Sequence, residues 1–161
     1  GARVAAGMVS VPDDRGLFPS LTVAEHLRLV GSSVDEAAGV FPALAGLAAR
    51  RAGACSGGEQ QQLAVALGIV RRPKVLCIDE LSMGLAARVV VELLSGLRAL
   101  ADEGDTAVLV VEQFVDAVLA VADRGVVLGG GRVIRDEPSE QLLADRAALE
   151  AAYLGSAPRR R

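Results

Sequence analysis

The sequence has 161 residues, 52% of them hydrophobic and 23% charged, with 2% aromatics and a formal net charge of −3. One ordinary domain with an apolar core fits this composition, and a disordered chain does not. The weak negative charge and scarce aromatics exclude an extended phosphate-tracking surface or a base-stacking platform, so no nucleic-acid partner is expected. No apolar run is long enough to span a membrane and no basic-plus-apolar leader opens the sequence, so a cytosolic protein, docked on a membrane protein at most, is expected. Cys55 and Cys77 form no CxxC pattern and have no histidine nearby, which predicts buried free thiols rather than a zinc site.

In chain order, Gly7–Val11 reads as a short strand ended by Pro12, and Asp13-Asp14-Arg15-Gly16 as a loop. Thr22-Val23-Ala24-Glu25 is a capping box that opens a helix to about Val30, and a second helical stretch should cover 34–50 with a break or kink at Pro42. Ser56-Gly57-Gly58-Glu59 is another capping box, opening a helix that runs to about Val70 and is stopped by Arg71-Arg72-Pro73. Val75-Leu76-Cys77-Ile78 reads as a buried strand delivering Asp79-Glu80. A helix over 86–101 carries an apolar stripe of Val89, Val90, Leu93, Leu94, Leu97 and Leu100. Ala107–Val111 reads as a second buried strand ending in Glu112-Gln113, Val115 to Ala122 as a helix, and Gly125–Ile134 as a hairpin about Gly129-Gly130-Gly131. Helices over 139–144 and 146–154 and a loose tail over 155–161 finish the chain. His26, the single histidine, is expected at the surface.

Alternating buried strands and amphipathic helices indicate an α/β domain with a mostly parallel sheet, whose ligands sit at the carboxyl ends of the strands. There, Asp79 and Glu80 offer hard oxygen ligands for Mg²⁺ and a carboxylate able to orient water. Taken alone, a strand that simply ends in an acidic loop is the better account of the same residues. Ser56–Gln60 can likewise be no more than a well-capped helix start. Its glycines would also let a phosphate approach the free N–H groups and positive end of the helix. Arg15 reads either as a contact for phosphate or a partner, or as a solvated loop residue.

Together, in this order and spacing, the two motifs resemble the ABC ATPase family. Ser56-Gly57-Gly58-Glu59-Gln60 is similar to the family's signature motif, and Val75–Glu80 to its Walker B strand with the catalytic glutamate. Val11–Phe18 with Thr22–Glu25, Gly84-Leu85-Ala86, Val111-Glu112-Gln113, Ala122–Gly125 and Tyr153-Leu154-Gly155 resemble the branched-chain amino-acid importer subgroup. The resemblance covers nearly the whole sequence. It implies a partial P-loop NTPase (ABC ATPase) fold, a mostly parallel sheet with a helical subdomain. The implied division is a helical subdomain over about 14–57, a catalytic core over 1–13 and 58–135, and C-terminal helices and tail over 136–161.

The resemblance also implies roles. Glu80 and Gln113 would be catalytic, with Glu80 polarising the hydrolytic water and Gln113 at the position where many relatives place a switch histidine. Asp79 would hold Mg²⁺ through water, and Asp13, at the Q-loop glutamine position, is assigned to the metal with it. Ser56, Gly57, Gly58, Glu59 and Gln60 would meet ATP held by a second ATP-binding subunit in a head-to-tail dimer, and Gly84, Leu85 and Ala86 would form the D-loop at the seam. The further partners implied are transmembrane permease subunits and, indirectly, a periplasmic or extracellular solute-binding protein. The implied location is the cytoplasmic face of the membrane.

No G-x-x-x-x-G-K-[ST] pattern occurs, and the one lysine, Lys74, lies beside Pro73 with no glycine near. The expectation is therefore a partial subunit that does not hydrolyse ATP by itself. Cys55, Leu67, Leu81 and Ala87 also depart from the residues usual in the family. A non-catalytic interaction module, docking on a permease or on an intact ATPase subunit, stands as the alternative. Chromosome-maintenance ATPases share the motifs but insert a long coiled coil, and the stretch from Asp13 to Ser56 has no sustained heptads.

Overall fold

The three apolar runs of the first hundred or so residues form one parallel sheet. The computed structural model describes residues 2–113, 115–147 and 149. The chain divides into two compact units, residues 1–113 and residues 114–161. In the first unit, β1 (Met8–Val11), β2 (Val75–Asp79) and β3 (Ala107–Val111) pair in the order β1-β2-β3. Val11 pairs with Ile78 and Asp79 with Val111, so the three carboxyl ends lie on one edge. Asp13, Asp79-Glu80 and Glu112-Gln113 all leave the sheet there, at the edge where α/β sheets place ligands.

The middle strand carries the core, since Leu76 and Ile78 are fully buried. β3 departs from the expectation of burial on both faces: Leu109 is 54% and Val111 55% exposed. A strand's side chains alternate between faces, and Val108 and Val110 take the half-covered one.

The helices follow their caps. A short α1 (Ala2–Ala5), not anticipated from the sequence, precedes β1. In α2 (Val23–Leu29), Thr22 Oγ1 accepts the Glu25 N–H, and the Glu25 carboxylate accepts the Thr22 N–H at 2.7 Å. The stretch expected over 34–50 is shorter and broken. α3 (Val34–Val40) ends at Phe41, which is extended with φ −125°, and Pro42–Leu47 is 3-10 helix. The proline ring disfavours helical geometry at the residue before it.

His26 is buried, not at the surface. Its Nε2 accepts the Phe18 N–H at 2.9 Å while Nδ1 lies 2.8 Å from the Thr22 carbonyl. A carbonyl only accepts, so Nδ1 carries the proton and the ring is neutral. One side chain thus ties the loop after β1 to α2, a long-range arrangement that helix periodicity does not report.

α4 (Gly57–Ile69) is buried along most of its length and lies directly on the sheet. A Cβ at Gly68 would stand 2.9 Å from Leu76 Cδ1 and 3.3 Å from Val11 Cγ2, so glycine sets the approach. α5 (Ala87–Asp102) buries Leu93, Leu94 and Leu97, the centre of its expected stripe. Cys55 is buried and Cys77 half-buried, and both are free thiols.

In the second unit, α6 (Val115–Leu119) precedes the antiparallel pair β4 (Arg124–Gly129) and β5 (Arg132–Pro138). Gly130 and Gly131 turn between them with φ 56° and 73°. A two-residue hairpin turn of this hand needs positive φ at both positions. β5 runs beyond the Ile134 expected from the sequence, and Arg124 pairs with Asp136 across the strands. α7 (Ser139–Ala144) follows, and Leu119, Leu142 and Leu149 form this unit's core. Of the helix expected over 146–154 only residues 146, 147 and 149 are described, and the expected tail over 155–161 lies outside the described residues. No described helix is long and apolar enough to cross a membrane.

Candidate functional site

The amino end of α4 is exposed and open. Ser56 is its N-cap: Ser56 Oγ accepts the Glu59 N–H, and the Glu59 carboxylate accepts the Ser56 N–H at 2.7 Å. That box uses two of the donors at the tip. The amides of Gly57 and Gly58, the first two helical positions, have no intrahelical acceptor. They point outward from the positive end of a 13-residue helix. Glu59 is held below its ordinary carboxylate value chiefly by the Ser56 backbone N–H; burial opposes this, and the Ser56 hydroxyl and the Arg50 guanidinium add smaller lowering effects. Arg50 approaches it at 3.3 Å, so its charge is engaged away from the glycines.

The acidic edge is equally accessible. Asp79 ends β2, and both Asp79 and Glu80 are exposed. Glu80 adopts φ 50°, unusual outside glycine, and its N–H donates to the Val111 carbonyl at 2.9 Å. β3 therefore holds the Glu80 backbone while the carboxylate stays in solvent. The next residue, Leu81, is fully buried and anchors the loop. Glu112, to which the motifs assign no role, closes the arrangement: its carboxylate accepts the Ser82 N–H at 2.5 Å and the Gln113 N–H at 3.0 Å. It thereby joins the loop after β2 to the one after β3. Gln113 is exposed at the same edge.

Gly84 turns the loop with φ 71°, and Leu85 leads back to the helix tip. A Cβ at Gly57 would lie 3.9 Å from Leu85 Cδ2 and 3.8 Å from Arg15 Nη2, ordinary contact distances. The structure thus brings Leu85, the middle residue of Gly84–Ala86, beside Gly57. At Gly58 the missing side chain serves packing as well as access, because its Cβ would meet Val89 Cγ2 at 3.1 Å. Arg15 is only half-exposed: its Nε donates to Gln61 Oε1 at 2.8 Å and its Nη1 to Gln60 Oε1 at 2.9 Å. Of the two sequence alternatives for Arg15, neither describes this contact within its own chain.

Nucleotide and Mg²⁺ make separate demands on this edge. Two open N–H groups at a helix tip suit a phosphate. Asp79 and Asp13 are exposed on the same sheet edge, but no cluster of three metal-ligating side chains occurs among the described residues. Such a donor set fits Mg²⁺ held mainly by phosphate and water, and not an ion caged by protein. A separate cleft of about 250 Å³, lined by Val11, Phe18, His26 and Leu67 among others, lies under the loop after β1 and does not include Glu80.

The profile described as ABC transporter matches residues 2–83. The chain belongs to the ABC transporter family. This ABC chain is 36% identical over 154 residues to the high-affinity branched-chain amino acid transport ATP-binding protein BraG of Pseudomonas aeruginosa, covering 90% of itself and 65% of that protein. It is 32% identical over 150 residues to the probable branched-chain amino acid transport ATP-binding protein LivF of Archaeoglobus fulgidus, covering 88% and 64%. It spans just under two-thirds of the length of these relatives. Among solved structures, a bacterial Atm1-family ABC exporter with ATP bound shares the fold with a TM-score of 0.77 at 23% identity, over 98% of this ABC chain and 30% of that one. The parallel sheet with α4 and α5 is therefore an ABC ATPase arrangement, as the motifs implied.

Proposed function

We propose that these residues serve an ATP-binding subunit of an ABC importer that couples ATP hydrolysis to solute uptake, with branched-chain amino acids as the solute. One observation carries the proposal: an open glycine helix tip and an exposed acid pair share one unit, linked by the Gly84–Ala86 loop. The names of the two relatives support the choice of solute.

In this proposal Ser56, Gly57 and Gly58, steadied by Glu59 and Gln60, face the terminal phosphate of ATP bound to a second ATP-binding subunit. Their free N–H groups stabilise its negative charge. Glu80 orients the attacking water, and Gln113 donates an amide hydrogen bond at the same edge. Asp79 would hold Mg²⁺ through water, and Asp13 would join it on the metal. Gly84, Leu85 and Ala86 line the subunit seam. Bound Mg·ATP supplies the phosphoanhydride that is cleaved. Residues 14–57 act as the helical subdomain that meets the permease at the cytoplasmic face of the membrane, and 1–13 with 58–135 as the core. A solute-binding protein delivers the solute to that permease. The 161 residues carry no G-x-x-x-x-G-K-[ST] pattern, so by themselves they retain ATP weakly and turn over none.

Pairing with a complete ATP-binding subunit tests the proposal. Mixed with the Pseudomonas aeruginosa relative, the chain should form a heterodimer by size-exclusion chromatography with light scattering only when Mg·ATP is present. Gly57→Glu should abolish it. Pairing that ignores ATP and survives Gly57→Glu would make the chain an interaction module instead.

A further inference from the structure

We propose that Arg15 is a positioning residue that locks the loop after β1 to the α4 tip through Gln60, setting the orientation of Ser56–Gly58. That the tip is a nucleotide-facing element rests on the function proposed above; the lock itself does not.

Donor and acceptor chemistry forces the direction of each bond. Arginine only donates, so Gln60 and Gln61 both turn their amide oxygens toward Arg15. The Gln60 NH₂ must then face the other way. There its Nε2 donates to the Ala52 carbonyl at 2.9 Å and the Cys55 carbonyl at 3.2 Å. Cys55 immediately precedes the cap residue Ser56, so one side-chain amide spans from Arg15 to the peptide that aims the helix tip.

The geometry needs a guanidinium. Gln60 and Gln61 are successive helical positions, about 100° apart around α4. Nη1 and Nε of one planar fork reach both, whereas a lysine ammonium is a point charge on a flexible stem. Gln61 is 3% exposed, so without Arg15 its oxygen would be a buried acceptor with no partner. At the other end Arg15 is held with φ 67° in a turn closed by its N–H on the Pro12 carbonyl at 2.9 Å and by the Gly16 N–H on Asp14 Oδ1 at 3.0 Å. Strained backbone of this kind persists where the surroundings over-determine it. Asp13 sits in that turn. A shift of the turn is therefore carried to Ser56–Gly58 through two side chains.

Amide hydrogen exchange on the nucleotide-free 161-residue chain tests the lock and stands apart from the pairing experiment, which can fail without it. Arg15→Ala should speed exchange at the hydrogen-bonded amides of residues 52–56, 59 and 60 by about tenfold while leaving α5 unchanged. Arg15→Lys should not restore protection, and Arg15→Ala added to Gln60→Ala should add much less than the tenfold it produces alone, since only the Gln61 bond then remains to be lost. Unchanged exchange at these amides in Arg15→Ala, acceleration spread equally through α5, or full rescue by Arg15→Lys would each overturn the proposal.

Discussion

Val89 of α5 stands where a side chain at Gly58 would have to go: a Cβ there would lie 3.1 Å from Val89 Cγ2 and 3.3 Å from Cγ1. Valine is stiff at χ1 and yields poorly. Gly58→Ala should therefore cost about 1 kcal/mol despite alanine's better helix propensity. Adding Val89→Ala should recover part of the loss, a coupling that urea denaturation of the double-mutant cycle measures. Gly57→Ala, with only ordinary contacts at 3.8 and 3.9 Å, should leave stability within about 0.5 kcal/mol. Equal losses for the two glycines would contradict the packing account.

Thr22 and Ser56 each close a reciprocal capping box. Thr22→Ala and Ser56→Ala should each destabilise by about 1 kcal/mol. The partner carboxylates, Glu25 and Glu59, both titrate below their ordinary values, chiefly because each accepts a backbone N–H from its cap residue. The folded chain thus binds these protons less readily than the unfolded chain. Their contribution is fully present above the ordinary carboxylate range and is lost as the pH falls through the lower folded values. Thermal melts from neutral to acid pH should show that decline, and Glu59→Gln should flatten it.

Glu80 holds φ 50°, a left-handed conformation that disfavours a Cβ. Glu80→Gly should stabilise the fold by about 1 kcal/mol relative to Glu80→Ala, since only glycine relieves the backbone. The same change removes the carboxylate assigned to the hydrolytic water, so stability and function should move in opposite directions. A Glu80→Gly chain no more stable than Glu80→Ala would remove the strain argument.

Ala87 is the first residue of α5, and Ala86 before it has φ −68° and ψ 143° with no side-chain cap bond. Proline suits the first helical position, and the residue before a proline favours that extended geometry. Ala87→Pro should raise stability by about 0.5 kcal/mol, read as a shift in the urea midpoint at constant slope.

The features legible before folding are local. Thr22-x-x-Glu25 and Ser56-x-x-Glu59 each contain a whole hydrogen-bonding unit within four residues, so both helix starts were legible. The apolar runs of β1 and β2 and the paired glycines of the β4–β5 turn were legible for the same reason. The acid pair and the glycine tip, each ambiguous alone, together carried the resemblance to the family whose model matches residues 2–83.

Which residues those local units meet depends on how the elements pack. Burial of His26 rests on a partner eight residues away, the exposure of Leu109 on an outer place in the sheet, and the bond from Arg15 to Gln61 on a separation of 46 residues. Glu112 gained its role from Ser82, 30 residues earlier. Hydrophobic periodicity reports which face of an element is apolar. It carries no information about which polar side chains converge once several elements pack, because that depends on distances the chain acquires only on folding.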